Sequence, residues 1–340
     1  MDLRPSDEQV ALVASFGALY DALSTPDKVL AAESNDPVGH SPELWSALRS
    51  TGVVEMAVPE ASGGGGACLL DLTLVAERHG RAIGPAPVIE TQIAARLLAN
   101  VAGAESQLES ALSGASLVTL ALHPVANGAL PLVPAGAVAD VVIALREDAL
   151  IAVPLRENRR ALENQGSAPL ADVTVTGESV IASGPEVVAA YAHALDEWRV
   201  LTAAALAGIA ERSLEIGVDY VKERKAFGKP IGSFQAIAHD LADRKTEVDG
   251  SILIAREAAW AFEEDPSRAS LLASMAFGFC AETARDTTHS VVQFHGGYGF
   301  MLEYAIQLYF RRARAWAAVL EGPRASYRRV GQIRLAAVNA

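Results

Sequence analysis

A chain of 340 residues, 51% of them apolar, is long enough to bury a large core and to form two or three domains. Its net charge of −13 and pI of about 5.0 argue against nucleic acid or an anionic membrane as partner, since both call for basic surface. Two cysteines, Cys68 and Cys280, give neither a disulfide framework nor a metal site. No apolar run reaches the roughly 20 residues of a membrane span. The stretch after Met1 has no signal-peptide core, so a cytoplasmic location is expected.

Residues 1–114 read as an N-terminal helical domain. Ser6 caps a first helix with apolar positions at Val10, Leu12, Val13, Phe16, Leu19 and Tyr20. Ser41 followed by Pro42 marks another start. Pro59 to Gly66 is a loop, and Leu69 to His79 is helical, ending at Gly80. The glycine run Gly63–Gly66 is a connector: it lacks the Lys-Ser/Thr of a phosphate-binding loop, and no βαβ unit surrounds it. Residues 115–187 form a small middle β-domain of short, β-branched runs: Leu117–Leu122, Val138–Leu145, Leu150–Val153 and Val173–Thr176. Residues 188–340 are an up-and-down helical bundle. Its helices run Val188–Glu223, Phe234–Glu264 and Ser267–Val292, with a last pair from Tyr304 to Val338.

Two turns interrupt that bundle. In the first, Gly228, Pro230 and Gly232 break the helical pattern, and Ser233 is the expected cap of the next helix. Arg224, Phe227 and Gln235 sit around it. A guanidinium, an aromatic face and an amide suit a nucleotide with a pyrophosphate, because Arg grips phosphate oxygens with strong, charge-assisted bonds. The pattern Arg224-x-x-Phe227-Gly228-x-Pro230-Ile231-x-x-Phe234-Gln235 resembles the FAD-binding signature of acyl-CoA dehydrogenases. Gln293-Phe-His-Gly296-Gly297-Tyr-Gly299-Phe300, followed by Glu303-Tyr304, resembles the second FAD motif of that family. Leu44-Trp45, Pro59-Glu60 with its glycines, and Glu77-Arg78-x-Gly80-Arg81 are similar to its N-terminal helical domain.

The resemblance implies a mainly α fold with a small middle β-domain, FAD as cofactor, an acyl-CoA as substrate and electron-transfer flavoprotein as acceptor. It assigns cofactor contacts to Arg224, Phe227, Gln235, Gln293, Gly296 and Gly297. It also implies a glutamate base that takes the α-proton in an apolar site. Counted without gaps, one of the family's two base positions falls on Leu320, beside Glu321, and the other on Trp198, beside Glu197. Glu321 is the candidate base, because an irregular turn tolerates a one-residue shift. Glu197, in a polar stretch with Arg199, is expected at the surface. His295 lines the site or packs at a subunit contact, with packing favoured. His239, Tyr309 and Trp316 are expected to be structural.

One part of the family pattern is absent. The loop that bonds the flavin ring, written like Thr-Glu-Pro-x-Ala-Gly-Ser-Asp, is replaced by His123-Pro-Val-Ala-Asn-Gly128. The retained motifs are those that in the family reach the FAD of a neighbouring subunit. The chain therefore resembles the shorter subunit of heterotetrameric (α2β2) bacterial sterol side-chain dehydrogenases, which points to steroid degradation and a bulky CoA thioester. Two other readings stay open: a self-sufficient homo-oligomeric enzyme with Glu321 as base, and a non-catalytic scaffold on the same fold.

Overall fold

The computed structural model describes residues 3–35 and 39–339. The chain divides into two compact units: Met1–Tyr20 with Thr73–Gly84 and Val200–Ala340, and Asp21–Leu72 with Pro85–Arg199. The first six helices are α1 (Asp7–Leu23), α2 (Pro26–Ala32), α3 (Pro42–Ser50), α4 (Leu69–Ala82), α5 (Val88–Ala99) and α6 (Glu105–Ser113). Seven strands follow: β1 (Val118–Leu120), β2 (Ala129–Val133), β3 (Val141–Arg146), β4 (Ala149–Pro154), β5 (Arg159–Ala161), β6 (Ala171–Thr174) and β7 (Ser179–Ser183). Then come α7 (Pro185–Glu223), the ribbon β8 (Lys225–Ala226) and β9 (Lys229–Pro230), α8 (Gln235–Glu264), α9 (Pro266–His295), α10 (Ile306–Ala318) and α11 (Pro323–Asn339). The fold is mainly helical with a small middle β region. No helix among the described residues is long and apolar enough to cross a membrane.

The helix starts follow from local chemistry. Ser6 Oγ accepts the Gln9 N–H at 3.2 Å while Gln9 Oε1 accepts the Ser6 N–H at 2.9 Å, a reciprocal capping box. Ser41 Oγ accepts the Leu44 N–H at 3.2 Å, with Pro42 opening α3. Ser233 does not cap α8: its hydroxyl donates to Pro230 O at 2.7 Å within a 3-10 turn, and Phe234 stands at the cap position. Helix α4 runs past Gly80 to Ala82. That glycine is there for close approach, since a Cβ on it would lie 1.8 Å from Ala205 O.

In the second unit, β1-β3-β4-β7 form one sheet, with β1 and β3 parallel, and β2-β6-β5 form another. Leu130, Val142, Ile151, Val153, Leu155 and Val173 belong to one buried cluster of the β region. Strands β3 and β4 are buried at four consecutive positions each, which requires cover on both faces and explains their unbroken apolar runs. Strands β2, β5 and β7, unseen in the sequence, are short and expose most of their residues; Pro131 interrupts β2, and β5 is mostly arginine. Tyr191, in the α7 portion of this unit, donates to Ala121 O at 2.6 Å and ties that segment to the strand region.

In the first unit, α8, α9, α10 and α11 pack with the later part of α7 and with residues 73–82 of α4. The α4–α7 crossing is held by ion pairs. Arg81 donates to Glu211 at 2.6 Å and Glu215 at 3.0 Å, and Tyr309 donates to Arg81 O at 2.9 Å. Arg256 on α8 donates twice to Glu77, at 3.0 and 3.3 Å. Tyr309 is core, as its spacing implied, and Trp316 stacks on the buried His79 ring at 5.6 Å.

Candidate functional site

The chain leaves α7 at Glu223 and folds back at once. Strands β8 and β9 pair antiparallel, Lys225 with Pro230 and Ala226 with Lys229, leaving Phe227 and Gly228 as a two-residue loop. Both have positive φ, 51° and 80°, the condition of a type I′ hairpin. Glycine adopts that conformation freely, whereas a phenylalanine holds it at a cost of roughly 1–2 kcal/mol. Burial gives nothing back, because Phe227 is 96% exposed. The Arg224 carbonyl accepts the Ile231 N–H at 2.8 Å, which closes the ribbon and fixes where Arg224 starts.

Helix α9 ends at His295, and residues 296–300 form a 3-10 turn. Gly296 sits at φ 60°, and no atom lies within 4 Å of where a Cβ would stand on Gly296 or Gly297. The backbone there is open to close approach by another group. Gln293, in the last turn of α9, is exposed, as are Arg224 and Gln235, the first residue of α8.

An aromatic stack joins the two turns. The His295 ring lies 3.8 Å from Tyr220, stacked, and meets Tyr304 edge-on at 5.9 Å. Tyr304 packs on Tyr298 at 5.4 Å, and the Arg224 guanidinium stands 5.9 Å from the centre of the Tyr298 ring. His295 is buried, with Nδ1 2.8 Å from Val291 O. A carbonyl only accepts, so Nδ1 carries the hydrogen, and burial pushes the imidazole pKa down, keeping it neutral. His295 packs within the chain, between Tyr220 and Tyr304. The sequence reading passed over Tyr220, although it stands one helical turn before Arg224. His239 is exposed on α8 and contributes nothing to a core, contrary to expectation: its face of α8 is the Gln235 face.

Around these turns Tyr298, Phe300, Met301 and Leu302 are all exposed, Phe300 at 68% and Leu302 at 64%. Exposed apolar groups concentrated next to polar motif residues mark a surface that another molecule covers. Among the described residues no carboxylate pairs with Arg224. An unmatched guanidinium, aromatic faces and open glycine backbone together suit an anionic, ring-bearing ligand.

The carboxylates behave differently from one another. Glu321 lies in the turn between α10 and α11, half-buried, and accepts the Ser326 hydroxyl at 3.1 Å. Glu197 is not at the surface. It is 2% exposed, and one of its oxygens accepts both Arg96 Nε at 2.9 Å and Arg96 Nη2 at 2.6 Å. His193 Nε2 stands 3.6 Å away. Burial pushes the Glu197 carboxyl up, but the His193 and Arg96 interactions more than offset it and hold it below the usual carboxylate range. Glu197 so held is a poor proton acceptor. Arg199, expected to share its polar stretch, pairs with Asp196 at 2.9 Å. Glu90, in the first turn of α5, was not singled out from the sequence; burial pushes its carboxyl up to about 7.

The profile described as "Acyl-CoA dehydrogenase, N-terminal domain" matches residues 6–115, and "Acyl-CoA dehydrogenase, C-terminal domain" matches residues 188–335. Acyl-CoA dehydrogenase IpdE2 of Mycolicibacterium smegmatis is 32% identical over 326 residues, covering 96% of this chain and 98% of that one. IpdE2 of Mycobacterium tuberculosis is 29% identical over 331 residues, again covering 96% and 98%. Among solved structures, the ChsE4-ChsE5 complex from Mycobacterium tuberculosis superposes with a TM-score of 0.89 at 26% identity, covering 98% of each chain. A variant of the Tcur3481-Tcur3483 steroid ACAD gives a TM-score of 0.88 at 26% identity, covering 98% of this chain and 99% of that one. With its helical parts matched by two profiles and relatives aligned end to end, the chain belongs to the acyl-CoA dehydrogenase family.

Proposed function

We propose that this chain is the flavin-site-completing subunit of a hetero-oligomeric, FAD-dependent acyl-CoA dehydrogenase. The reaction is the α,β-dehydrogenation of an acyl-CoA, with a bulky, ring-bearing thioester such as a sterol side-chain CoA as substrate. The observation that carries this reading is the outward display of the two motif turns. Arg224, Phe227, Gln293, Gly296 and Gly297 face out from one chain, ringed by exposed apolar side chains, as half of a shared site would.

The residues fit the cofactor. Arg224 holds the pyrophosphate, Phe227 offers a face to the adenine, and Gln235 and Gln293 supply amides. The open backbone of Gly296 and Gly297 admits close contact. Bound FAD supplies the hydride acceptor for the β-carbon. The neutral His295 stack keeps the two turns in register without adding a charge beside the phosphates. Residues 123–128, where the family's ring-binding loop belongs, make a tight turn into β2 through the Ala126–Ala129 bridge. They bring no hydroxyl or carboxylate side chain of their own, which supports a flavin ring held by a partner subunit's loop. The relatives whose titles name two chains, ChsE4-ChsE5 and Tcur3481-Tcur3483, support a pair of unlike subunits. The same reading takes 1–114, 115–187 and 188–340 as its domains, electron-transfer flavoprotein as acceptor and the cytoplasm as location.

A second reading rests on Glu321. It is half-buried in an irregular turn one residue from the counted base position, and in a self-sufficient homo-oligomer it would take the α-proton. The visible spectrum of the chain, purified alone and then co-expressed with a full-length acyl-CoA dehydrogenase from the same source, separates the readings. A flavin band only in the co-purified complex, bleached by Arg224→Ala, is the expected result. A band from the chain alone, with turnover lost in Glu321→Gln, would replace the proposal with the second reading. No band in either preparation would leave a non-catalytic scaffold.

A further inference from the structure

The last 35 residues reverse the charge of the chain. They hold seven arginines and a single glutamate, whereas the whole chain carries 41 acidic against 28 basic residues. Helix α11 has four of those arginines and no acidic residue. One face is fixed to α9 within the same unit. Arg329 donates to Ser270 O at 3.3 Å and Ser270 Oγ at 3.0 Å, and Tyr327 donates to Glu282 at 2.8 Å. The other face holds Arg324, Arg328 and Leu335 at i, i+4 and i+11, and Arg334 stands on the flank that Tyr327 shares. All four are exposed, Leu335 at 65%. Among the described residues no carboxylate pairs with these three arginines. Like charges one turn apart destabilise a helix slightly, so a mixed arginine and leucine stripe gains from an occupant that is acidic at its edge and apolar at its floor.

The second unit contains such a surface. An open groove of about 930 Å³ runs along α5 and α6, floored by Leu98, Leu108 and Leu112 and edged by Asn100, Glu105 and Glu109. Glu105 is held in place by the Gly103 N–H at 3.2 Å. Docking of an amphipathic helix in a complementary groove is a recurrent mode of recognition, and opposite charges at the rim set register and partner choice. We propose that the exposed α11 face of one copy of this chain docks in the α5–α6 groove of a second copy. The contact is independent of flavin binding, and any assembly with two copies of the chain could use it.

Sedimentation equilibrium on the full chain tests this, with two charge-reversed proteins: Arg324→Glu with Arg328→Glu, and Glu105→Arg with Glu109→Arg. All four positions are exposed, and unchanged thermal melting of each variant shows that it folds. The wild type is expected to self-associate at low salt and dissociate at high salt. Each variant alone is expected to associate about tenfold or more weakly, because its helix and groove now carry the same sign. An equimolar mixture of the two variants restores association, since each helix then meets an oppositely charged groove. No self-association of the wild type at low salt overturns the proposal. So does an arginine-reversed protein that associates normally, or a mixture that fails to recover, which would seat the helix elsewhere.

Discussion

Within the first unit, arginine is used in two opposite ways. Around α4, Arg81 meets Glu211 and Glu215 of α7, and Arg256 of α8 meets Glu77, all at hydrogen-bonding distance. At the end of α7, Arg224 points outward and meets only the Tyr298 ring. The crossing also uses glycines with no room above them: a Cβ on Gly208 would lie 2.1 Å from Glu77 O. The surface uses glycines with nothing within 4 Å. One region pairs its guanidiniums with carboxylates of the same chain and holds the fold together. The other leaves its strong groups exposed.

The largest effect expected from breaking this contrast is at the crossing. Gly208→Val puts a branched side chain against backbone that has no way to retreat. It is expected to cost roughly 4 kcal/mol or more and to leave little folded protein; soluble yield and circular dichroism report it. Next comes Arg256→Met, which strands Glu77 in a buried position at about 3–5 kcal/mol. Burial already raises the Glu77 carboxyl against the pull of Arg256, and removing the arginine raises it further. A folded-state pKa above the unfolded value means that the unfolded chain loses its proton first as pH rises. The defect is therefore largest near neutral pH, shrinks as pH falls through the raised folded-state pKa values, and is gone below about 4.5. Urea midpoints of both proteins against pH check the direction, and a defect that grows in acid would refute it.

The smallest effect separates the regions most sharply. Phe227→Asn replaces an aromatic with a residue suited to positive φ. It is expected to stabilise the isolated chain by up to about 1 kcal/mol, while the flavin band of the co-expressed complex weakens. Loss of stability on that change would show that the ring contributes to the fold instead of facing a partner.

The sequence was informative at most places where local chemistry decides the outcome, the expected Ser233 cap being the exception. The caps at Ser6 and Ser41 and the doubly buried β3 and β4 follow from residues close in the chain. So do the breaks at Gly228 and Gly296. The motif turns were legible through family resemblance, and the structure adds that Tyr220, His295 and Tyr304 bring them side by side. Glu197 was misjudged because Arg96, its partner, lies 101 positions away, while the neighbouring Arg199 suggested a solvated stretch. Glu90 was missed because nothing local signals a carboxylate that burial raises against the opposing pull of a backbone hydrogen bond. Edge strands β2, β5 and β7 escaped because a mostly exposed strand need not alternate apolar and polar residues.

The two-residue loop at Phe227 bears on kinetics as well as on position. Its backbone is set by the two-residue hairpin before anything binds, so docking would have to order the ring but not the loop. Preorganisation of this kind lengthens residence more than it speeds encounter. A complex closed over this hairpin would exchange its subunits slowly, and a flavin held beneath it would leave at the pace of subunit separation.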